Sequence, residues 1–159
     1  MTTLTEAETG TRHHYVECGL DYVWLEGGFV REETAYGPAV RVEHASALDR
    51  AIAEAVVRHR RHLTGQEVRF LRGLMDLTQE GLAALLGKDA QSVARWERAR
   101  TRIPPTEDRA LRQLFLEHAG SAQSFTETAR RTAAIRGEVV ALSASGGEGG
   151  SWRVAAERP

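Results

Sequence analysis

The stretch Leu77-Thr-Gln-Glu-Gly-Leu-Ala-Ala-Leu-Leu-Gly-Lys-Asp-Ala-Gln-Ser-Val-Ala-Arg-Trp-Glu97 constrains this chain more than any other part of it. It reads as two short helices, each with its own start signal, joined through a glycine. Thr78 and Asp89 are N-cap residue types, whose side-chain oxygens accept a backbone N–H left free in the first helical turn. Leu82, Leu85 and Leu86 form the apolar face of the first helix, and Val93 and Trp96 that of the second. Gly87 supplies the stop between them. Such a pair sets the second helix across the first at a steep angle. Ala83 is small where the two helices approach.

The flanking segments extend the pattern. Thr64-Gly-Gln-Glu67 is a full capping box, opening a helix with Val68, Leu71, Leu74 and Met75 inward, which Asp76-Leu77 breaks. Ile103-Pro-Pro105 forces another break, because proline disfavours helix in the residue before it and suits a helix's first turn. A fourth helix follows, with Ala110, Leu111, Leu114 and Phe115 inward, ending near Gly120.

Outside residues 64–118 the signals thin. Residues 1–12 are polar and without periodicity, and are expected to be disordered. Tyr15–Cys18, Tyr22–Leu25, Phe29-Val30 and Ala39–Glu43 are short extended runs punctuated by Gly27-Gly28 and Tyr36-Gly37-Pro38, and read as one small antiparallel sheet. Ser46-Ala-Leu-Asp49 resembles a capping box, and Leu48, Ile52 and Val56 predict a helix over about 47–58. Residues 121–136 are compatible with a helix bearing a thin stripe of Phe125, Ala129, Ala133 and Ile135. Val139–Leu142 and Trp152–Val154 form either a hairpin across a glycine-rich connection or part of a disordered tail. The expected organisation is a 1–12 tail, a 13–60 β-plus-helix region for dimerisation or a partner, a 61–120 helical domain and a 121–159 extension. The fold class is mainly α: a compact bundle of four to five helices with a small N-terminal antiparallel β element, α+β overall.

Composition enters through its asymmetry. The formal charge of -1 conceals 4 Arg against 10 Asp and Glu in residues 1–57, and 12 Lys and Arg against 7 acids in residues 58–116. A basic middle beside an acidic flank suggests one face for a polyanion and another for something else. Cys18 is the only cysteine, which excludes an internal disulfide and a thiolate-built zinc site. His13, His14, Cys18 and His44 lack paired thiolates, and no metal or other cofactor is expected. His59 and His62 lie three apart without a nucleophile motif around them, so no enzymatic role is expected. No apolar run approaches the roughly 20 residues of a membrane span, and the polar start lacks a signal-peptide pattern. A cytoplasmic, nucleoid-associated protein is the expectation.

The second helix of the pair, read as 89–99, projects Ala90, Gln91 and Arg95 outward from its early turns. Gln91 can give and accept hydrogen bonds at an adenine edge, and Arg95 can bond both acceptors of a guanine. The two are one turn apart and can share one major groove. Gln79 starts the preceding helix, where a side-chain amide and free backbone N–H groups can hold a phosphate. Lys88, Ser92, Arg98, Arg100 and Arg102 flank the outward helix as phosphate-contacting candidates.

Leu77-Thr78-Gln79, Leu82-Ala83, Gly87 and Arg95-Trp96-Glu97 resemble the helix-turn-helix domain of Cro and lambda-repressor type regulators over residues 64–118. The nearest variety is the DNA-binding domain of MqsA-type antitoxins. In that family a polar amide and an arginine one turn later read bases, positions that match Gln91 and Arg95. Three features depart from the family, one of them Gly81 inside the first helix of the pair, which costs about 1 kcal/mol relative to alanine. Ala99 stands where a glycine commonly closes the recognition helix, and a left-handed cap is costly with a side chain, so the helix is expected to run on toward Arg102. The N-terminal paired-cysteine zinc domain is missing. The resemblance implies a regulator that binds double-stranded DNA as a homodimer on a pseudo-palindrome, either a repressor or an autoregulatory antitoxin with a toxin protein as second partner. The competing reading is a protein-interaction module acting mainly through such a partner.

Overall fold

The computed structural model describes residues 12–159, so all but the last residue of the expected N-terminal tail lies outside the described residues. Six α-helices and six strands are present among the described residues, more strand than the sequence led us to expect. Strands β1 (His13–His14), β2 (Val23–Leu25), β3 (Phe29–Thr34) and β4 (Gly37–Val42) precede α1 (Ala45–His59). Helices α2 (Gly65–Leu74), α3 (Gln79–Leu86), α4 (Ala90–Glu97), α5 (Pro105–His118) and α6 (Phe125–Ala134) follow, and β5 (Ala141–Gly146) and β6 (Trp152–Glu157) end the chain.

The N-terminal strands do not form one antiparallel sheet. β3 and β4 make a separate two-stranded hairpin, whereas β1 and β2 join the C-terminal hairpin in a four-stranded sheet of order β1-β2-β5-β6. β2 pairs parallel with β5, Val23 opposite Leu142 and Leu25 opposite Ala144, and β5 pairs antiparallel with β6. The extended run Tyr22–Leu25 contains β2, with Val23 and Leu25 fully buried and Trp24 less so. It carried no information about a partner more than a hundred residues away. Tyr15–Cys18, expected as a strand, instead leads into a turn. Tyr15 is buried and its hydroxyl donates to Asp49 Oδ1 of α1 at 3.1 Å. The glycine-rich connection between β5 and β6 is ordered and tight. A Cβ at Gly146 would stand 2.4 Å from the Ser151 carbonyl oxygen, so only glycine fits this corner.

Helix α1 crosses the sheet and buries Leu48, Ile52 and Val56 completely. Its start differs from the capping box read at Ser46. The N-cap is His44, left-handed at φ 48° with no side-chain bond, and Ser46 lies inside the helix. Asp49, the acid of that box, is drawn away to Tyr15. Helix α6 also departs from its expected stripe. Phe125 and Ala133 are exposed, Ala129 is half-buried and Ile135 at the C-cap is buried as expected, while the buried positions within the helix are Thr128 and Thr132. Thr128 donates to Gln113 Oε1 of α5 at 2.6 Å and accepts from Gln123 Nε2 at 2.8 Å, so this contact is polar and was invisible to an apolar-period reading.

Two buried charged clusters fasten the helical bundle to α1 and the sheet. Arg112, fully buried on α5, donates from Nε to Asp108 Oδ1 at 2.6 Å and from Nη1 and Nη2 to the carbonyls of Val57 and Arg61. Asp108 Oδ2 accepts from the Leu63 N–H at 2.8 Å. In the second cluster Glu67, also fully buried, accepts from the Tyr22 hydroxyl and from the Thr64 N–H. Arg60 Nε lies 2.7 Å from Glu67 Oε2, at an angle that makes an ion pair rather than a hydrogen bond, and its Nη1 donates to the Val139 carbonyl. Charges this deep persist only when paired, and both clusters are; the Arg112–Asp108 pair is hydrogen-bonded throughout, whereas Arg60 Nε has the ion pair alone.

Candidate nucleic-acid interface

Local signals build the helices that carry the interface. The capping box at Thr64 is complete, with the side chain accepting from the Glu67 N–H and Glu67 returning to the Thr64 N–H. Thr78 accepts from the Gly81 N–H and Asp89 from the Ser92 N–H. The Ser92 bond holds the Asp89 carboxyl below the usual carboxylate range, keeping the cap charged. Gly87 closes α3 in the left-handed conformation at φ 66°. Leu82, Ala83, Val93 and Trp96 form the buried seam of α3 and α4. Leu85, expected inside, is 59% exposed.

Tertiary contacts then fix how α4 is presented. At Gly65, the first residue of α2, a Cβ would lie 2.3 Å from the Trp96 carbonyl oxygen and 2.7 Å from that of Glu97. The two backbones meet there, and no side chain fits. Arg72 near the end of α2 grips Glu97 with two bonds, Nε to Oε2 at 2.7 Å and Nη2 to Oε1 at 2.8 Å. Its Nη1 donates to the Leu77 carbonyl at 2.9 Å. This bidentate fork ties the end of α4 to the turn before α3, the strongest geometry an arginine and a carboxylate can adopt. Neither Gly65 nor Arg72 was nominated from the sequence. Arg72 and Glu97 are 25 residues apart, beyond the reach of any local pattern.

On this mount Gln91 and Arg95 are both exposed, one helical turn apart on α4, with Arg98 next along the same face. Ala90 and Ser92 are half-buried, and the Ser92 N–H is held by Asp89. Arg98, Arg100 and Arg102 are exposed along the segment after the helix. Gln79 spends one amide N–H on Glu97 Oε1 at 3.3 Å, which aims the side chain beside α4 and leaves its second N–H free of that bond. Lys88 is tied to Glu107 at 3.3 Å, so a phosphate would have to compete with that carboxylate for it.

The recognition helix does not run on toward Arg102. It ends at Glu97, and Ala99 takes the left-handed conformation at φ 56°. The Arg100 N–H bonds to the Arg95 carbonyl at 2.9 Å, closing the helix as a glycine would. Tertiary closure around Trp96 and Glu97 therefore overrides the cost of the alanine. Ala99→Gly is expected to stabilise the protein by about 1 kcal/mol, since glycine takes this conformation without strain. Urea denaturation would read it, and an unchanged or lower midpoint would show that Ala99 bears no strain.

His13 and His14 serve local contacts. His13 Nε2 lies 3.2 Å from Glu17 Oε1, and His14 stacks on Trp24 and bonds the Asp21 carbonyl. The described residues hold no group of three or more ligand-type side chains arranged for a metal. No helix among them is long and apolar enough to cross a membrane.

Residues 68–112, from the middle of α2 into α5, match the Helix-turn-helix family. No curated protein and no solved structure matches the chain. Sequence, caps and packing agree on one conclusion: residues 68–112 are an XRE-like helix-turn-helix, a DNA-binding type of domain.

Proposed function

We propose that the protein is a sequence-specific transcriptional repressor that reads a pseudo-palindromic operator as a homodimer, α4 lying in the major groove of each half-site. The observation that carries this reading is the pairing of Gln91 and Arg95. Both are exposed on a helix whose opposite face is locked by Val93, Trp96 and the Arg72–Glu97 fork. An amide and a guanidinium at that spacing are the side chains that read adenine and guanine edges. Ala90 completes the base-facing surface, offering a methyl for a thymine. Gln79, Ser92, Arg98, Arg100 and Arg102 hold the flanking phosphates, and Lys88 joins them when it leaves Glu107. An MqsA-like antitoxin that represses its own operon is the narrower form of this reading, with residues 13–60 as the acidic partner-facing region.

Footprinting on DNA upstream of the protein's own gene supplies the operator. Gln91→Ala and Arg95→Ala are each expected to weaken operator binding by about 1–3 kcal/mol while leaving random DNA nearly unaffected. Equal loss on both DNAs would remove these residues from base reading. Alanine at Arg98, Arg100 or Arg102 would instead weaken both DNAs together and flatten the salt dependence.

A further inference from the structure

We propose that β6 is the homodimer interface: Trp152–Glu157 pairs antiparallel with the same strand of a second copy, about a two-fold axis at Ala155. The two four-stranded sheets thereby become one of eight strands.

β6 ends the sheet and is six residues long, without proline. Its ladder with β5 runs unbroken from Ala141↔Glu157 to Gly146↔Trp152, with no bulge. Proteins normally blunt such edges, because an open ladder is a template for another strand. The opposite edge, β1, has only two residues. The Gly147 N–H bonds to the Ser151 carbonyl, which fixes the phase of the ladder. Arg153, Ala155 and Glu157 make the bonded pairs with β5, so Trp152, Val154 and Ala156 turn their N–H and C=O groups to the open edge. Among the described residues, no backbone bond from another element reaches those groups.

The side chains select a second copy and its register. Trp152 is buried, and Val154 and Ala156 pack half-buried on the core, while Arg153, Ala155 and Glu157 line the outer face. With the axis at Ala155, each Arg153 stands opposite Glu157 of the other copy, and the small Ala155 lies between. Moving the axis to Val154 sets Arg153 against Ala155, and moving it to Ala156 sets Arg153 against Pro159. Only the Ala155 axis pairs opposite charges, and it does so twice by symmetry. Glu157 Oε1 already accepts from Ser143 and Arg12, which leaves Oε2 for the incoming guanidinium. The edge is short, so the free dimer is modest in strength and is reinforced when adjacent half-sites hold both copies.

This interface deepens the homodimer reading above, and it is testable without DNA. Residues 155 of the two copies would form a non-hydrogen-bonded pair with Cα atoms about 4.5 Å apart, within disulfide reach. The full chain is made with Cys18→Ser, removing a partly buried thiol whose pKa burial pushes up to about 11, and Ala155→Cys is added. Mild oxidation should give a disulfide-linked dimer roughly tenfold faster than Ser145→Cys, on the neighbouring strand and the same outer face. Adding Arg153→Glu to the Ala155→Cys chain should slow cross-linking to the Ser145→Cys rate. Cross-linking of Ala155→Cys no faster than Ser145→Cys, or a wild-type chain that sediments as a monomer at all concentrations, overturns the interface. Either result leaves the base-reading assignment standing, since that is measured on operator DNA with Gln91 and Arg95.

Discussion

Arg112→Ala is expected to cost about 3–5 kcal/mol, the range for breaking a buried ion pair by removing one partner. The loss falls on three groups together. Asp108, 4% exposed, becomes a buried charge without its counterion, and the carbonyls of Val57 and Arg61 lose their donors. Against a whole-domain stability of about 5–15 kcal/mol, that is enough to leave the protein marginal. The thermal midpoint should fall by about 6–20 °C, as the entropy of unfolding a domain this size dictates. Asp108→Asn should be milder, because its amide oxygen can still accept from the Leu63 N–H. A midpoint for Arg112→Ala within a degree or two of wild type would mean that Arg112 does not fasten α5 to α1.

Trp96→Ala is expected to cost a similar amount, about 3–5 kcal/mol, as large aromatic truncations in cores do. Trp96 is 5% exposed and is the largest buried side chain of α4. It lines the floor of an open pocket of about 260 Å³ with Val68, Ile103 and the Ala99 segment. Removing the indole deepens that pocket into the core, and the helix that carries Gln91 and Arg95 loses its anchor. The predicted signature is a lowered melt together with loss of binding to operator and random DNA alike. Gln91→Ala and Arg95→Ala should do the reverse, sparing the melt and striking only the operator. A Trp96→Ala protein that melts like wild type would place the indole outside the core.

The sequence by itself determined the helices of residues 64–118 and the outward face of α4. Caps and helical period act within a few residues, so Thr64, Thr78, Asp89, Gly87 and Pro105 mark boundaries that the fold keeps. The same locality explains the errors. Leu85 satisfied the period yet faces water, because an apolar stripe wider than the contact leaves its margin exposed. Ala99 looked unable to close a helix, and local propensity does predict that. Only the tertiary structure decided otherwise, by holding Trp96 and Glu97 where the chain must turn. It also decided which strands meet. The run Tyr22–Leu25 reports an extended segment, but hydrogen-bonding edges are alike in every strand, and β5 becomes the partner of β2 only in the assembled sheet. The polar fastenings, Arg72 with Glu97 and Arg112 with Asp108, Val57 and Arg61, follow the same rule. In the sequence each is an ordinary charged residue at a helical position, and burial alone, which is a property of the assembled fold, makes it structural.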